Sequence, residues 1–188
     1  TEVTIQSGDK SIAAYAFKGR TGLEIVTIPD SVTAIGEGAF EGCTSLGTVK
    51  IGNSVTTIGE RAFNGCRKLA AVTIPDSVAV IGNHAFDSCE LLDIVTIGNS
   101  VTTIGERAFN GCRKLAAVTI PDSVAVIGNH AFDSCELLDI VTIGNSVKVI
   151  GKWVFYGCSS LKDVTIPDSV TTIGKGAFEG CKKLATVA

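Results

Sequence analysis

Seven cysteines, two histidines and a recurrent serine are the residues of this chain that could do chemistry, and their spacing decides which chemistry. Cys43, Cys66, Cys89, Cys112, Cys135, Cys158 and Cys181 stand 23 residues apart, each three residues after a phenylalanine. A zinc site needs Cys or His ligands gathered round one ion, commonly as Cys-x-x-Cys clusters, and a uniform 23-residue step supplies none. Stacked one repeat apart, neighbouring cysteines fall within disulfide reach. Side chains in such a ladder run parallel, however, and an odd number cannot pair completely. The expectation is a row of reduced, buried thiols acting as small apolar fillers, with no metal site and no cofactor.

His84 and His130 occupy equivalent positions 46 residues apart, alongside Arg61, Arg107 and Trp153 at the same point of other repeats. Two stacked repeats separate them by on the order of 10 Å, too far to share one ion. Flanking arginines oppose protonation, so solvated surface histidines without a catalytic partner are expected. The serines Ser31, Ser54, Ser77, Ser100, Ser123, Ser146 and Ser169 read as a corner ladder bonding to backbone. Catalysis needs unlike groups converging on one point, whereas this chain repeats like groups at regular translations. No catalytic residues are expected.

The elements that position these groups follow from the same step. All eight phenylalanines (Phe17, Phe40, Phe63, Phe86, Phe109, Phe132, Phe155 and Phe178) keep it, and a period of 20 to 29 residues marks a solenoid of stacked coils. Each coil opens with apolar residues two apart, as in Val49/Ile51 or Val72/Ile74, the period of a half-buried strand. Stacking these at about 4.8 Å builds a parallel sheet. A turn follows, Gly-Asn-Ser alternating with Pro-Asp-Ser at Pro29, Pro75, Pro121 and Pro167, and then a second short strand such as Val55-Thr-Thr-Ile58. Gly59 and its equivalents mark a bend needing positive φ or close backbone approach. Ala62-Phe63-x-x-Cys66-x-x-Leu69 places apolar residues three apart, the spacing of a short helix or 3₁₀ turn.

Composition narrows the function classes. Sixteen basic against nineteen acidic residues give a net charge of −3, without the basic stripe that nucleic acid requires. No apolar run approaches the roughly 18 residues of a membrane span, so no membrane insertion is expected in this segment. Residues 1–188 read as one solenoid domain. Neither end resembles a polar capping unit, and the chain reads as a fragment of a longer protein. Residues Ile51–Val101 are identical to Ile97–Val147, a recent or engineered duplication that creates a 46-residue superperiod.

Leu161-Lys-Asp-Val164-Thr-Ile166-Pro-Asp-Ser169-Val170-Thr-Thr-Ile173-Gly174-Lys-Gly-Ala177-Phe178-Glu-Gly-Cys181 resembles the leucine-rich repeat family in its BspA-like, treponemal 23-residue class. The likeness runs through seven successive coils. It lapses in the first, where Gly8, Asp9 and Arg20 replace the serine, valine and cysteine. The resemblance implies an α/β leucine-rich-repeat solenoid of about eight coils. One face is a parallel β-sheet, completed by short second strands and short helical or 3₁₀ turns. It further implies an arc-shaped module used in adhesion or host binding, extracellular or on a cell surface, with no shared catalytic residues. Reduced thiols fit a cytoplasmic setting equally well.

Three surface features carry the expectation of binding. The residues between the inward pairs point out from the sheet as a threonine row, including Thr73, Thr96, Thr119 and Thr142, beside a row containing Ile94 and Ile140. Trp153 and Tyr156 replace polar residues of other coils and are expected to be exposed, as binding aromatics are. After the cysteines, Arg67, Glu90, Arg113 and Glu136 alternate in sign and predict an ion-pair ladder. The leading reading is a non-enzymatic module binding a protein or glycan ligand on the sheet face. The alternative is a structural or engineered repeat array without a dedicated ligand, self-associating end to end.

Overall fold

Val72 and Ile74 are buried while Thr73 between them is exposed, and nearly every coil repeats that choice. The computed structural model describes residues 1–187. In chain order the strands are β1 (Glu2–Thr4), β2 (Ser11–Ile12), β3 (Ile25–Thr27), β4 (Ala34–Ile35), β5 (Thr48–Lys50) and β6 (Thr57–Ile58). They continue as β7 (Ala71–Thr73), β8 (Val80–Ile81), β9 (Ile94–Thr96), β10 (Thr103–Ile104), β11 (Ala117–Ile120) and β12 (Val126–Ile127). The last are β13 (Ile140–Ile143), β14 (Val149–Ile150), β15 (Asp163–Val164), β16 (Thr172–Ile173) and β17 (Thr186–Val187).

All pairings are parallel, and their register is the sequence repeat itself: Val26 opposes Val49, Val72 opposes Val95 and Val118 opposes Val141. The even-numbered strands form one eight-stranded sheet. The odd-numbered strands form two sheets, one of five strands from β1 to β9 and one of four from β11 to β17. One apolar core runs the length of the stack. Its spine is the phenylalanine ladder, with ring centroids 5.2 to 5.6 Å apart and planes within 12° of parallel.

Two expectations need correction. Among the described residues there is no helix, so the fold is a parallel β-solenoid rather than α/β. In the segment after the second strand, alternate N–H groups leave the coil. Those of Arg61, Phe63 and Gly65 donate to Asn83, Ala85 and Asp87 of the next coil, while those of Ala62, Asn64 and Cys66 close three-residue turns. A helix keeps its donors within the segment; here half of them tie neighbouring coils together. Left-handed backbone at Arg61 (φ 53°) and Gly65 (φ 70°) also interrupts the helical path. Second, the stack makes about seven turns instead of eight coils, since the eight second strands are separated by seven steps. The outermost units are incompletely packed, with Phe17 and Phe178 only partly buried.

The glycines after the second strands serve close approach, not positive φ. A Cβ on Gly105 would stand 2.7 Å from backbone atoms of Gly82 and Asn83, so a side chain there would force adjacent coils apart. The corner serines behave as expected in the proline coils. Ser77, Ser123 and Ser169 donate to the carbonyls of Val55, Val101 and Val147 at 2.7 to 2.8 Å.

Candidate binding surface

The odd-numbered strands present one side to the core and the other to solvent, and that outer side carries the threonine row. Thr73, Thr96, Thr119 and Thr142 are all exposed. Beside them Ile94 and Ile140 are each 61% exposed, and Leu91 and Leu137 each 47%. The two leucines were not picked out from the sequence. Their signal was present, because they stand where Lys68 and Lys114 stand in the intervening coils, but Leu91-Leu92 does not by itself reveal which leucine points inward.

The face is grooved, and the grooves recur at every second junction. A hollow of about 420 Å³ lies between β5 and β7, lined by Val49, Ile51, Asn53, Thr73 and Pro75. One of about 660 Å³ lies at the break between β9 and β11, lined by Thr96, Ile97, Asn99, Thr119 and Pro121 among others, and reaching Thr142 and Asn145. A third, about 290 Å³, lies between β13 and β15 against Asn145 and Pro167. Each marks a passage from a Gly-Asn-Ser coil to a Pro-Asp-Ser coil.

The alternation of turn residues causes this. A Cβ on Gly52, Gly98 or Gly144 would lie 2.4 to 2.6 Å from the carbonyl oxygen of Pro29, Pro75 or Pro121. Only glycine lets its coil settle this closely on the proline coil before it. The same junction is clamped by the proline coil's aspartate: Asp30, Asp76 and Asp122 accept the N–H groups of Asn53, Asn99 and Asn145 at 2.6 to 2.7 Å. Ile28 and Ile74 donate to Lys50 and Thr96, both at 2.9 Å. At the following junction proline has no N–H to offer, and the coil is already drawn the other way. Pairing accordingly shrinks to Thr48 with Ala71 between β5 and β7, vanishes between β9 and β11, and covers two residues between β13 and β15. Among the described residues, Ile51, Ile97 and Ile143 donate no backbone hydrogen bond across these openings.

The second predicted patch is less open than expected. Trp153 is half-buried: its ring stacks on His130 with centroids 5.1 Å apart, and a Cβ on Gly176 of the next coil would collide with its indole at 2.4 Å. Tyr15 lies over Gly38 in the same way. Both aromatics therefore pack onto a neighbouring glycine, which is why they sit in an otherwise polar column. Tyr156 is exposed.

The histidines are also half-buried, not solvated. His84 Nδ1 and Asp87 Oδ2 are 2.8 Å apart, and the Asp87 Oδ1 atom accepts from Ser88 Oγ and Asn110 Nδ2, both at 2.9 Å. His130, Asp133 and Ser134 repeat the core of this cluster at 2.7 Å. The i,i+3 spacing of His and Asp was readable in the sequence and was overlooked. Aspartate sits at the centre and the serine donates to it, so no imidazole is placed to take the serine proton, as nucleophile activation requires. The cluster instead fixes strained backbone, because His84 (φ 55°) and Ser88 (φ 59°) are both left-handed, at roughly 1 kcal/mol each.

The seven thiols are free, and all but Cys181 are buried. Each donates weakly to a phenylalanine carbonyl of the preceding coil, at 3.1 to 3.4 Å. Burial pushes them above the ordinary range, Cys181 at the open end to about 11. The expected continuous charge ladder is broken into separate pairs. Arg67 meets Glu90 at 3.4 Å and Arg113 meets Glu136 at 3.6 Å, following the two-coil unit. Among the described residues no cluster of His, Cys, Asp and Glu is arranged to hold a metal ion, and no helix is long and apolar enough to cross a membrane.

A parallel β-solenoid of 23-residue coils, with apolar ladders inside and one strand face open to solvent, is a leucine-rich repeat scaffold. The BspA type leucine-rich repeat region matches residues 1–115 and 81–188, in six copies, and the chain belongs to that family. A leucine-rich repeat protein from Bacteroides ovatus is 30% identical with a TM-score of 0.64, over 99% of this chain and 62% of its own length. The T. pallidum leucine-rich repeat protein is 29% identical with a TM-score of 0.71, over 98% of this chain and 78% of its own. A leucine-rich cell surface protein from Faecalibacterium prausnitzii is 28% identical with a TM-score of 0.53, over 100% of this chain and 72% of its own. No curated protein matches significantly.

Proposed function

We propose that this chain is a non-enzymatic recognition module that captures a protein or glycan ligand on the sheet face, in an extracellular or cell-surface setting. The observation that carries the reading is the exposed row of Thr73, Thr96, Thr119 and Thr142, flanked by Ile94 and Ile140 and hollowed at alternate junctions. Flat, uncharged and partly apolar surface of this kind favours association over solvation. The mechanism is surface complementarity from a rigid repeat scaffold. The surface setting draws support from the Faecalibacterium relative, which is itself a cell surface protein.

The test is a double substitution, Thr96→Glu with Thr142→Glu, assayed against immobilised matrix proteins, plasma proteins and a glycan array. Both side chains leave the surface, so circular dichroism and thermal unfolding stay unchanged. Binding to whichever probe the native chain captures falls about tenfold or more, equivalent to about 1.4 kcal/mol. Unaltered capture removes the sheet face from the reading.

The 51-residue identity between Ile51–Val101 and Ile97–Val147 favours a second reading, a structural array extended by duplication. That reading predicts mass that rises with concentration in sedimentation and no capture of any probe.

A further inference from the structure

Resting on the sheet face as the binding surface, we infer that its occupant is a proline-rich segment of a partner protein in the polyproline II conformation, seated with one turn per two coils. The argument is one of matching periods. The openings at Ile51, Ile97 and Ile143 recur every 46 residues, which is about 9.4 to 9.8 Å along a parallel sheet. A polyproline II helix repeats every three residues, about 9.3 Å, and stays in register over all three openings. An extended strand repeats its side every two residues, about 6.8 Å, and two α-helical turns span about 10.8 Å. Both drift out of step by the third opening.

The chemistry of the grooves agrees with this ligand. Each opening holds the undirected N–H of Ile51, Ile97 or Ile143. Each also has an exposed asparagine on its lining, Asn53, Asn99 or Asn145, whose side-chain amide bonds to nothing else in the protein. A polyproline II segment is the complement: it makes no internal hydrogen bonds, so its carbonyls are free to accept, and its prolines bring no N–H needing an acceptor. Ile94 and Ile140 carry the same 46-residue spacing and offer apolar contact to pyrrolidine rings one turn apart.

The test is a titration of ¹⁵N-labelled protein with oligoproline peptides of six to twelve residues, against a glycine–serine peptide of equal length. Saturable shifts are expected at the amides of Ile51, Ile97 and Ile143 and at the side-chain amides of Asn53, Asn99 and Asn145. Affinity rises in steps of three residues. Asn99→Ala with Asn145→Ala weakens binding about fivefold without altering thermal unfolding, and Ile94→Asp with Ile140→Asp does likewise. Absence of saturation up to about 5 mM overturns the inference. So does an equal response to the glycine–serine peptide, or indifference to both double variants. If oligoproline fails while Thr96→Glu with Thr142→Glu still abolishes capture of another probe, this inference falls and the sheet-face reading stands. Failure of both removes the face altogether.

Discussion

Between pH 8 and pH 10 the protein loses about 7 kcal/mol of stability, most of what a domain of ordinary stability possesses. The source is the thiol ladder. Cys66, Cys89, Cys112, Cys135 and Cys158 are fully buried, and desolvation raises all five well above the ordinary value of 9.0. The folded thiols keep their protons while those of the unfolded chain ionise. A group raised in this way contributes stability that is whole below its unfolded pKa and is lost as pH climbs towards its folded one. The loss amounts to about 1.4 kcal/mol per thiol per pH unit above 9. Tyr15, raised by donating to Glu37, acts in the same direction. Urea unfolding at pH 8, 9 and 10 under reducing conditions measures the effect. Cys112→Ala with Cys135→Ala lowers stability at neutral pH but reduces the alkaline slope by about two-fifths. A stability profile flat to pH 10 would mean that the thiols are accessible in the folded state.

The second large effect is expected at the centre of the ring ladder. Phe109 is fully buried and stacks on Phe86 and Phe132, both at 5.3 Å. Phe109→Ala leaves a void that the two rigid coils cannot collapse into, at a cost of about 3 to 5 kcal/mol, including about 0.5 to 1.5 kcal/mol for each lost ring pair. Because each coil touches only its neighbours, stability in a solenoid is a chain of nearest-neighbour terms. The damage therefore divides the array, and urea unfolding monitored at Trp153 separates from that monitored by circular dichroism. Phe178→Ala at the partly buried end costs about half as much. Equal losses at Phe109 and Phe178 would contradict the packing described.

Much of this architecture was legible in the residues. The Val72/Ile74 spacing gave the strands and their outward threonine, and the phenylalanine and cysteine steps gave the stack and its interior ladders. The turn after the second strand was misread as helical because apolar residues three apart, Ala62, Phe63 and Cys66, satisfy a helix rule that considers side chains alone. What decides the backbone is where the N–H groups go, and those of Arg61 and Phe63 go to the next coil. The left-handed backbone at Arg61, His84 and Trp153 was equally invisible, since glycine, its usual signature, holds that position only at Gly38 and Gly176. Pro and Gly were seen to alternate, but the consequence depends on the 2.4 Å approach of Gly98 to Pro75. No single coil contains that information. The grooves arise between repeats, which is why the sequence located Thr96 and Thr142 on the outer face without showing what lies between them.

The central claim is that the binding face is built from two-coil units that close at the proline-to-glycine junction and open at the next. Amide hydrogen exchange measures it directly. The N–H groups of Ile28 and Ile74, bonded across closed junctions at 2.9 Å, should exchange slowly, and those of Ile51, Ile97 and Ile143 faster by about a hundredfold or more. Uniform protection of all five would show an unbroken sheet and contradict the account.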